Sequence, residues 1–214
     1  MHETSLHCQW ISNVRYYCLL WSGITKQTIK KVEKINYKQK FSGASKIAIL
    51  SDIHGQHDLF INLLQAHKII DANRNWNFGD GHFVIVGDVF DRGDHVTETL
   101  WFLYKLEQQA AQLGGKVHLL LGNHEYMVVK GDLRYVSEKY GWVSEQLGLP
   151  YDQLFGPATL LGQWLRTKPV AISINGIAFS HAGFSPQFAE QNFDIELINK
   201  LFHERIIDHE KSSI

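Results

Sequence analysis

Short apolar runs alternate along this chain with longer segments whose apolar residues recur at helical spacing. Four runs predict β-strands, namely Lys46–Leu50, Phe83–Val86, Lys116–Leu121 and Gly176–Phe179. In the second run, four consecutive apolar residues lie between nearby glycines at positions 81 and 87. Such a run is typical of a strand that is buried on both faces in a parallel sheet.

The segments between these runs predict helices and turns. Residues 56–68, 94–112 and 193–209 have helical patterns, and the second of them ends at a pair of glycines. Residues 73–81 form a turn-rich connection, and residues 169–180 predict a β-hairpin with a type I′ turn at an Asn-Gly pair. Alternating strands and helices predict an α/β fold with a mostly parallel sheet and right-handed crossovers.

Two regions depart from this alternation. Residues 126–168 have little strand character, and helices are predicted over 132–147 and 162–166. Because this insertion directly follows a loop with candidate catalytic residues, it predicts a helical cap. Residues 1–40 predict an N-terminal appendage, and residues 41–214 predict one domain. Five aromatic residues of the insertion are interpreted as its small core rather than as a pocket lining: Tyr126, Tyr135, Tyr140, Trp142 and Tyr151.

Composition and charge narrow the class of protein. The 214 residues are 44% hydrophobic and 20% charged, which is typical of a globular domain. The formal net charge of -1 gives no general attraction to nucleic acid or to an anionic membrane. We find neither a membrane span nor a signal peptide, which predicts a cytoplasmic protein. Cys8 and Cys18 lie apart from every motif and predict free thiols.

Each predicted strand ends in residues that carry chemistry. The four motifs are Ser51-Asp52-Ile53-His54-Gly55, Gly87-Asp88-Val89-Phe90-Asp91-Arg92-Gly93, Gly122-Asn123-His124-Glu125 and Ser180-His181-Ala182-Gly183. Open α/β sheets bind their ligands at the carboxyl ends of the strands. Unpaired charge at the end of a buried strand is costly, and a bound metal or phosphate would offset that cost. Carboxylate, imidazole and amide groups are suitable ligands for first-row divalent metals.

In their order and position, the four motifs resemble those of the calcineurin-like metallophosphoesterases. The Asp-Arg-Gly and Asn-His-Glu elements are similar to the phosphoprotein phosphatase branch, and the His-Ala-Gly form is similar to the bacterial-type Shewanella-like phosphatases. The resemblance covers about residues 46–185. It implies a four-layer α/β/β/α fold, in which a β-sandwich of two packed sheets is flanked by helices and residues 126–168 form the helical cap.

The resemblance also implies two divalent metal ions. Asp52 and His54 would hold one ion, Asp88 would bridge both, and Asn123 and His181 would hold the second. A bridging carboxylate can hold two cations about 3.5–4 Å apart, and such a pair lowers the pKa of a shared water, which would attack phosphorus in line. These ligands suit manganese first, and they also accept iron, zinc or magnesium.

The remaining motif residues would act on the substrate. By the resemblance, His124 protonates the leaving oxygen, and Asp91 orients the imidazole of His124. Arg92 would clamp the phosphate, since its planar guanidinium suits bidentate contact, and Asn123 also faces the substrate. Glu125 would stabilise the site without binding a metal ion itself. Three other histidines are interpreted as structural: His57, His95 and His118.

The sequence departs from the family pattern at two places. Ser51 stands where the family usually has glycine, and because serine is small we expect little effect. The family takes another histidine ligand for the second metal from a late Gly-His element, and no such pair follows His181. His203 and His209 follow it, but they fall in a helical pattern. This departure predicts a truncated piece or an unusually short member.

These observations predict a metal-dependent phosphatase. Its substrate would be a protein phosphorylated on serine, threonine or tyrosine, or a small phosphoester, and no nucleic acid is expected as a partner. One alternative is a diadenosine tetraphosphatase-type nucleotide hydrolase, which shares these motifs. Another is a non-catalytic scaffold that keeps the fold. The presence of His124, Asp91 and Arg92, which a scaffold does not need, favours the enzyme, and the oligomeric state stays open.

Overall fold

A computed structural model describes residues 35–37, 39–190 and 194–207 of the chain. Several sequence-based predictions therefore fall outside the described residues: those for Cys8, Cys18, Phe193, His209 and nearly all of residues 1–40. Among the described residues, no helix combines the length and the hydropathy that crossing a bilayer requires.

Two three-stranded β-sheets lie at the centre of the described chain. In chain order their strands are β1 (Lys40–Phe41), β2 (Ile47–Leu50), β3 (His82–Val86), β4 (Lys116–Leu120), β5 (Ala171–Ile174) and β6 (Ile177–Ser180). The first sheet has the order β2-β3-β4, and both of its pairings are parallel. The second has the order β1-β5-β6, with β1 parallel to β5 and an antiparallel β5-β6 hairpin.

The predicted α/β architecture, parallel sheet and hairpin are confirmed. The hairpin turns at Asn175 and Gly176, whose φ angles of 52° and 83° are positive, as a type I′ turn requires. The hydrophobic pattern does not predict β1, because a two-residue strand has no detectable period. Lys40 of this strand comes from the segment interpreted as an appendage, and the boundary at residue 41 stays a prediction.

Helices cover the sheets and fill the connections. They are α1 (His57–Ala66), α2 (Val96–Gln112), α3 (Asn123–Val129), α4 (Glu138–Leu147), α5 (Leu160–Leu165), α6 (Pro186–Ala189) and α7 (Ile195–Phe202), with a 3₁₀ helix over Tyr151–Phe155 and a π-helical turn over His203–Ile207. The prediction of one helix over 132–147 was wrong at its start. The hydroxyl of Ser137 accepts a hydrogen bond from the Lys139 N–H and begins the helix there.

The main hydrophobic core lies between the first sheet and the helices that cover it. Phe60 of α1, Phe83 of β3 and Leu103 of α2 are buried in this core, and so are Tyr140 and Phe155 from the 126–168 segment. The segment therefore shares the core of the sheet instead of building a separate one. A smaller cluster between the two sheets contains Val84, Leu120, Ile172 and Ile174, and α7 packs against β5.

Two imidazoles lie side by side at one edge of the space between the sheets. His118 Nε2 is 3.1 Å from His82 Nδ1, and the ring centroids of His118 and Phe41 are 4.7 Å apart. Burial, together with the charges of the nearby His82, Lys116 and Lys168, lowers the pKa of His118 to about 3. Burial also lowers the pKa of His82.

We predict that this pair makes the fold sensitive to acid. The pKa of His118 is about 3 in the folded protein and about 6.5 for the solvated imidazole of the unfolded chain, so the unfolded chain binds more protons between these pH values. The free energy of unfolding should therefore fall as the pH drops below 6.5, by up to about 1.4 kcal/mol per pH unit for one such group. His118→Gln should reduce this slope in urea denaturation at a series of pH values.

The exposed His67 provides the matched control. His67→Gln should keep the pH slope of the unmodified protein, because the substitution leaves the buried pair of His82 and His118 unchanged. Equal slopes for His118→Gln and the unmodified protein would contradict the prediction.

Candidate functional site

The ends of β2, β3, β4 and β6 bring the predicted metal ligands together. Potential ligand atoms of Asp52, Asp88 and His181 all lie within 4.8 Å of one another, and so do those of His54, Asp88 and His124. Asp88 belongs to both groups. Its Oδ2 is 3.2 Å from His181 Nε2, 3.8 Å from His54 Nε2 and 3.9 Å from His124 Nε2. One buried carboxylate therefore lies at the centre of three imidazoles.

Local backbone geometry turns these side chains inward. The Asp52 N–H donates to the Gly87 carbonyl at 3.2 Å and the His54 N–H donates to the Asp88 carbonyl at 3.0 Å, so strand-like pairing continues beyond β2 and β3. Asp52, His54 and Asp88 have φ angles of 57°, 46° and 58°, which L-residues seldom adopt. Such strained positions persist where the surrounding structure fixes them, and they cluster at functional sites.

A close approach between two loops requires glycine. A Cβ on Gly87 would lie 2.8 Å from the Cα of Gly122, and a Cβ on Gly122 would collide with the Asp88 carboxylate. The loop after β3 and the start of α3 therefore touch through their backbones, which places Asp88 directly against α3.

Glu125 fixes this contact. Its side chain is almost fully buried, and its two carboxylate oxygens accept hydrogen bonds from the N–H groups of Asp88 (2.9 Å), Val89 (2.7 Å), Phe90 (3.2 Å) and Gly122 (2.7 Å). Burial raises the pKa of Glu125, and the backbone donors oppose that shift. Because every partner is a donor, the ionised carboxylate matches this environment and a protonated carboxyl does not.

His124 and Asp91 form a buried pair beside the centre. His124 Nδ1 is 2.6 Å from Asp91 Oδ2, and their side chains are 5% and 0% exposed. The imidazole Nδ1–H donates to the carboxylate, so Nε2 is directed toward Asp88. Burial raises the pKa of Asp91, while the hydrogen bond and the charge of His124 oppose the shift.

The donor atoms fit a metal ion better than they fit one another. His54 Nδ1 is 2.7 Å from the Phe90 carbonyl and His181 Nδ1 is 2.7 Å from the Val86 carbonyl, so both rings carry hydrogen on Nδ1. Both Nε2 lone pairs then point into the site. His54 Nε2 is buried without a hydrogen-bond partner among the described residues, and His181 Nε2 is 3.0 Å from Asn123 Oδ1. A cation would satisfy these converging lone pairs.

Arg92 and Tyr135 lie at the rim of the site. The Arg92 N–H donates to the Tyr135 carbonyl at 2.8 Å, and the exposed guanidinium has no hydrogen bond or ion pair within the described part of the chain. The Tyr135 ring is 48% exposed and its centroid is 5.3 Å from that of His124. Tyr140 and Tyr151 are core residues, but they belong to the core shared with the first sheet and not to a separate core of the insertion. The core interpretation is wrong for three exposed residues: Tyr126, Tyr135 and Trp142.

A groove of about 430 Å³ opens beside Asn123 and His181. Its walls are largely apolar, and their aromatic members are Tyr126, Phe184, Phe188 and Phe202. The late histidine His203 is directed to the Lys168 carbonyl at 3.0 Å. Among the described residues, no further His, Cys, Asp or Glu joins the two ligand groups around Asp88.

Comparison with known proteins identifies the family. Residues 45–212 match the family described as calcineurin-like phosphoesterase. The chain belongs to this family. The resemblance read from the four motifs and the metallophosphoesterase fold are thereby confirmed.

Its relatives include protein phosphatases. The chain is 33% identical to Shewanella-like protein phosphatase 2 of Arabidopsis thaliana over 60% of this chain and 31% of that protein. It is 30% identical to Shewanella-like protein phosphatase 1 of Plasmodium berghei over 80% of this chain and 49% of that protein. The crystal structure of a cold-active protein-tyrosine phosphatase from a psychrophilic Shewanella species superposes with a TM-score of 0.82, at 40% identity, over 92% of this chain and 60% of that one. The chain thus spans between about a third and three fifths of these proteins.

We predict that Glu125 holds the site together through its charge. Glu125→Gln replaces one acceptor oxygen with an amide NH₂, which faces backbone N–H donors and leaves them unsatisfied. The free energy of unfolding, measured by urea denaturation with EDTA present, should fall by at least about 2 kcal/mol. Glu145→Gln, an exposed change on α4, should have little effect. A loss at Glu125 no larger than at Glu145 would refute the assignment.

Proposed function

We propose that this chain hydrolyses phosphate monoesters with two divalent metal ions, manganese being the first candidate. Asp52 and His54 would hold one ion, Asp88 would bridge, and Asn123 and His181 would hold the other. The observation that carries the proposal is the buried pair of His124 and Asp91 next to the ligand groups. A metal-binding scaffold has no use for an oriented imidazole there, whereas an ester hydrolase needs an acid for the leaving group.

The chemistry divides among a small number of side chains. The bound ions would supply a water of lowered pKa and neutralise charge on the phosphoryl oxygens. Asp91 holds His124 through Nδ1, so the proton for the leaving oxygen would come from Nε2. The Asp91 carboxylate also stabilises the charged imidazolium that precedes this transfer. Arg92, whose guanidinium has no partner among the described residues, is available to bind the phosphate in a bidentate manner.

A phosphorylated protein is our first substrate class, with phosphotyrosine ahead of phosphoserine and phosphothreonine. The names of the relatives support a protein phosphatase, and the name of the solved Shewanella structure supports tyrosine. The exposed ring of Tyr135 beside His124 supports an organic group on the acid side of the phosphate. A nucleotide hydrolase and a non-catalytic scaffold are the alternatives that the experiments below distinguish.

His124→Asn tests the role of the acid. Loss of general acid catalysis should lower turnover of an alkyl phosphate by about 10²–10⁴-fold, while manganese content stays near that of the unmodified protein. The defect should shrink for p-nitrophenyl phosphate, because a good leaving group needs little protonation. The measurements are steady-state kinetics across leaving groups of graded pKa and metal analysis of the same samples.

The exposed His67 again gives the control, and His67→Asn should retain full turnover. Loss of metal from His124→Asn would mean that His124 is a ligand. Metal binding without turnover of any phosphoester by the unmodified protein would favour the scaffold. Preferential cleavage of dinucleoside tetraphosphates over phosphopeptides would favour the nucleotide hydrolase.

Arg92→Ala tests the phosphate contact. Removing the guanidinium should lower kcat/KM by about 10–100-fold, as expected for loss of hydrogen bonds to a charged group. The defect should be the same for all leaving groups, because Arg92 would touch the phosphate and not the leaving oxygen. Arg74→Ala, an exposed change in the connection that precedes β3, should match the unmodified protein. A defect in Arg92→Ala that varied with leaving-group pKa would contradict this role.

A further inference from the structure

The hydroxyl of Ser51 links the ends of two neighbouring strands. Its Oγ is 2.5 Å from Asp52 Oδ2, at the end of β2, and 2.9 Å from the Val86 carbonyl, at the end of β3. The same carbonyl oxygen accepts the hydrogen bond from His181 Nδ1. Ser51 therefore touches one proposed metal ligand directly and shares a carbonyl with another.

Backbone groups hold the other charged or imidazole ligands. Asp88 Oδ1 accepts a hydrogen bond from the His124 N–H, and the Nδ1 atoms of His54 and His181 donate to main-chain carbonyls. Asp52 lacks such support. Its side chain is 58% exposed, and within the described residues its carboxylate has a single hydrogen bond, the one from Ser51.

The geometry gives the two oxygens of Asp52 different roles. Oδ2 faces the Ser51 hydroxyl, while Oδ1 lies 3.8 Å from His54 Nε2 and is directed into the site. The hydroxyl has one proton and both of its neighbours are acceptors, so we assign the proton to the Asp52 carboxylate, which is charged and lies nearer (2.5 Å) than the Val86 carbonyl (2.9 Å). A hydroxyl donating to an ionised carboxylate forms a short, charge-assisted hydrogen bond. Such a bond fixes one oxygen and thereby limits rotation of the other.

We propose that Ser51 is a positioning residue for the metal centre, which holds Asp52 so that Oδ1 is presented to an ion shared with His54 and Asp88. The proposal rests on the function proposed above. It also changes an expectation from the sequence, since a serine in place of glycine was expected to have little effect. Contacts of this kind, made behind a ligand, typically contribute a factor of about 10–100 to metal affinity.

The test measures Mn²⁺ affinity directly. Ser51→Ala removes the hydroxyl and should raise the dissociation constant for Mn²⁺, measured by competition with a fluorescent chelator, by about 10–100-fold. Ser51→Thr keeps a hydroxyl and should restore affinity to within a few-fold of the unmodified protein. With p-nitrophenyl phosphate, Ser51→Ala should lose activity at limiting Mn²⁺ and regain most of its kcat at saturating Mn²⁺, because Ser51 acts through the ion and does not touch substrate.

A second serine-aspartate pair provides a matched control. Ser45 Oγ donates to Asp80 Oδ1 at 3.3 Å, just before β2 begins and therefore at the opposite end of that strand. Ser45→Ala should leave Mn²⁺ affinity unchanged. Thermal unfolding of the metal-free variants should show that Ser51→Ala is folded, so that weak binding is not a consequence of unfolding.

The outcomes separate this inference from the proposed function. If the unmodified protein binds Mn²⁺ and turns over the ester, and Ser51→Ala binds equally tightly, the positioning role is overturned and the proposed function stands. If Ser51→Thr binds as weakly as Ser51→Ala, the hydroxyl is not responsible and the role is likewise overturned. If the unmodified protein binds no metal, the proposed function fails, and this inference fails with it.

Discussion

The Glu125 carboxylate is the contact on which the rest of the site depends. Beyond β3 the chain turns through left-handed conformations, with φ angles of 77° at Gly87 and 58° at Asp88. The carbonyls of this loop still accept hydrogen bonds from the loop after β2, but its N–H groups at residues 88–90 point away from the sheet. Left unpaired in the interior, those donors would each be costly. Glu125, in the first turn of α3, accepts hydrogen bonds from these N–H groups and therefore attaches the loop after β3 to the helix that follows β4. The positions of Asp88, Asp91 and His124 follow from that attachment.

Charge balance explains why this arrangement calls for a cation. Asp88, Asp91 and Glu125 are buried close together, and no lysine or arginine of the described residues forms an ion pair with any of them. Glu125 is satisfied by the backbone, and Asp91 Oδ2 is paired with His124, whereas Asp91 Oδ1 is buried without a hydrogen-bond partner among the described residues. From the part of the chain that the structure describes, the Asp88 carboxylate receives one main-chain hydrogen bond, at Oδ1, and imidazoles face Oδ2. Its remaining charge is what bound divalent ions would neutralise.

The sequence predicts the parts of this site that depend on strand ends. Parallel strands end at one edge of a sheet, so the motifs at residues 52, 88 and 123 had to meet, and the Asn-Gly hairpin adds His181. The parts of the structure that depend on long-range backbone contacts are not visible in the hydrophobic periodicity of the sequence. Strand β1 is too short for one, and α3 was missed because Gly122-Asn123 has the composition of a turn. Tyr135 lies at the site because its main-chain carbonyl accepts a hydrogen bond from the Arg92 N–H. A main-chain contact of this kind cannot be predicted from the pattern of side chains.

Asp88 connects the proposed metal ligands to His124, the proposed acid. Oδ2 of Asp88 faces the imidazoles of His54 and His181, while Oδ1 accepts the main-chain N–H of His124. The Asp88 carboxylate, which would bridge the ions, therefore also fixes the main chain at His124, the proposed acid. Asp91 then orients the imidazole through Nδ1, so the acid is held at both its backbone and its ring. Because both contacts are buried, a shift of the Asp88 carboxylate would move His124 with it. In the proposed mechanism, this geometry would couple ion binding at Asp88 to the orientation of His124 as the proton donor.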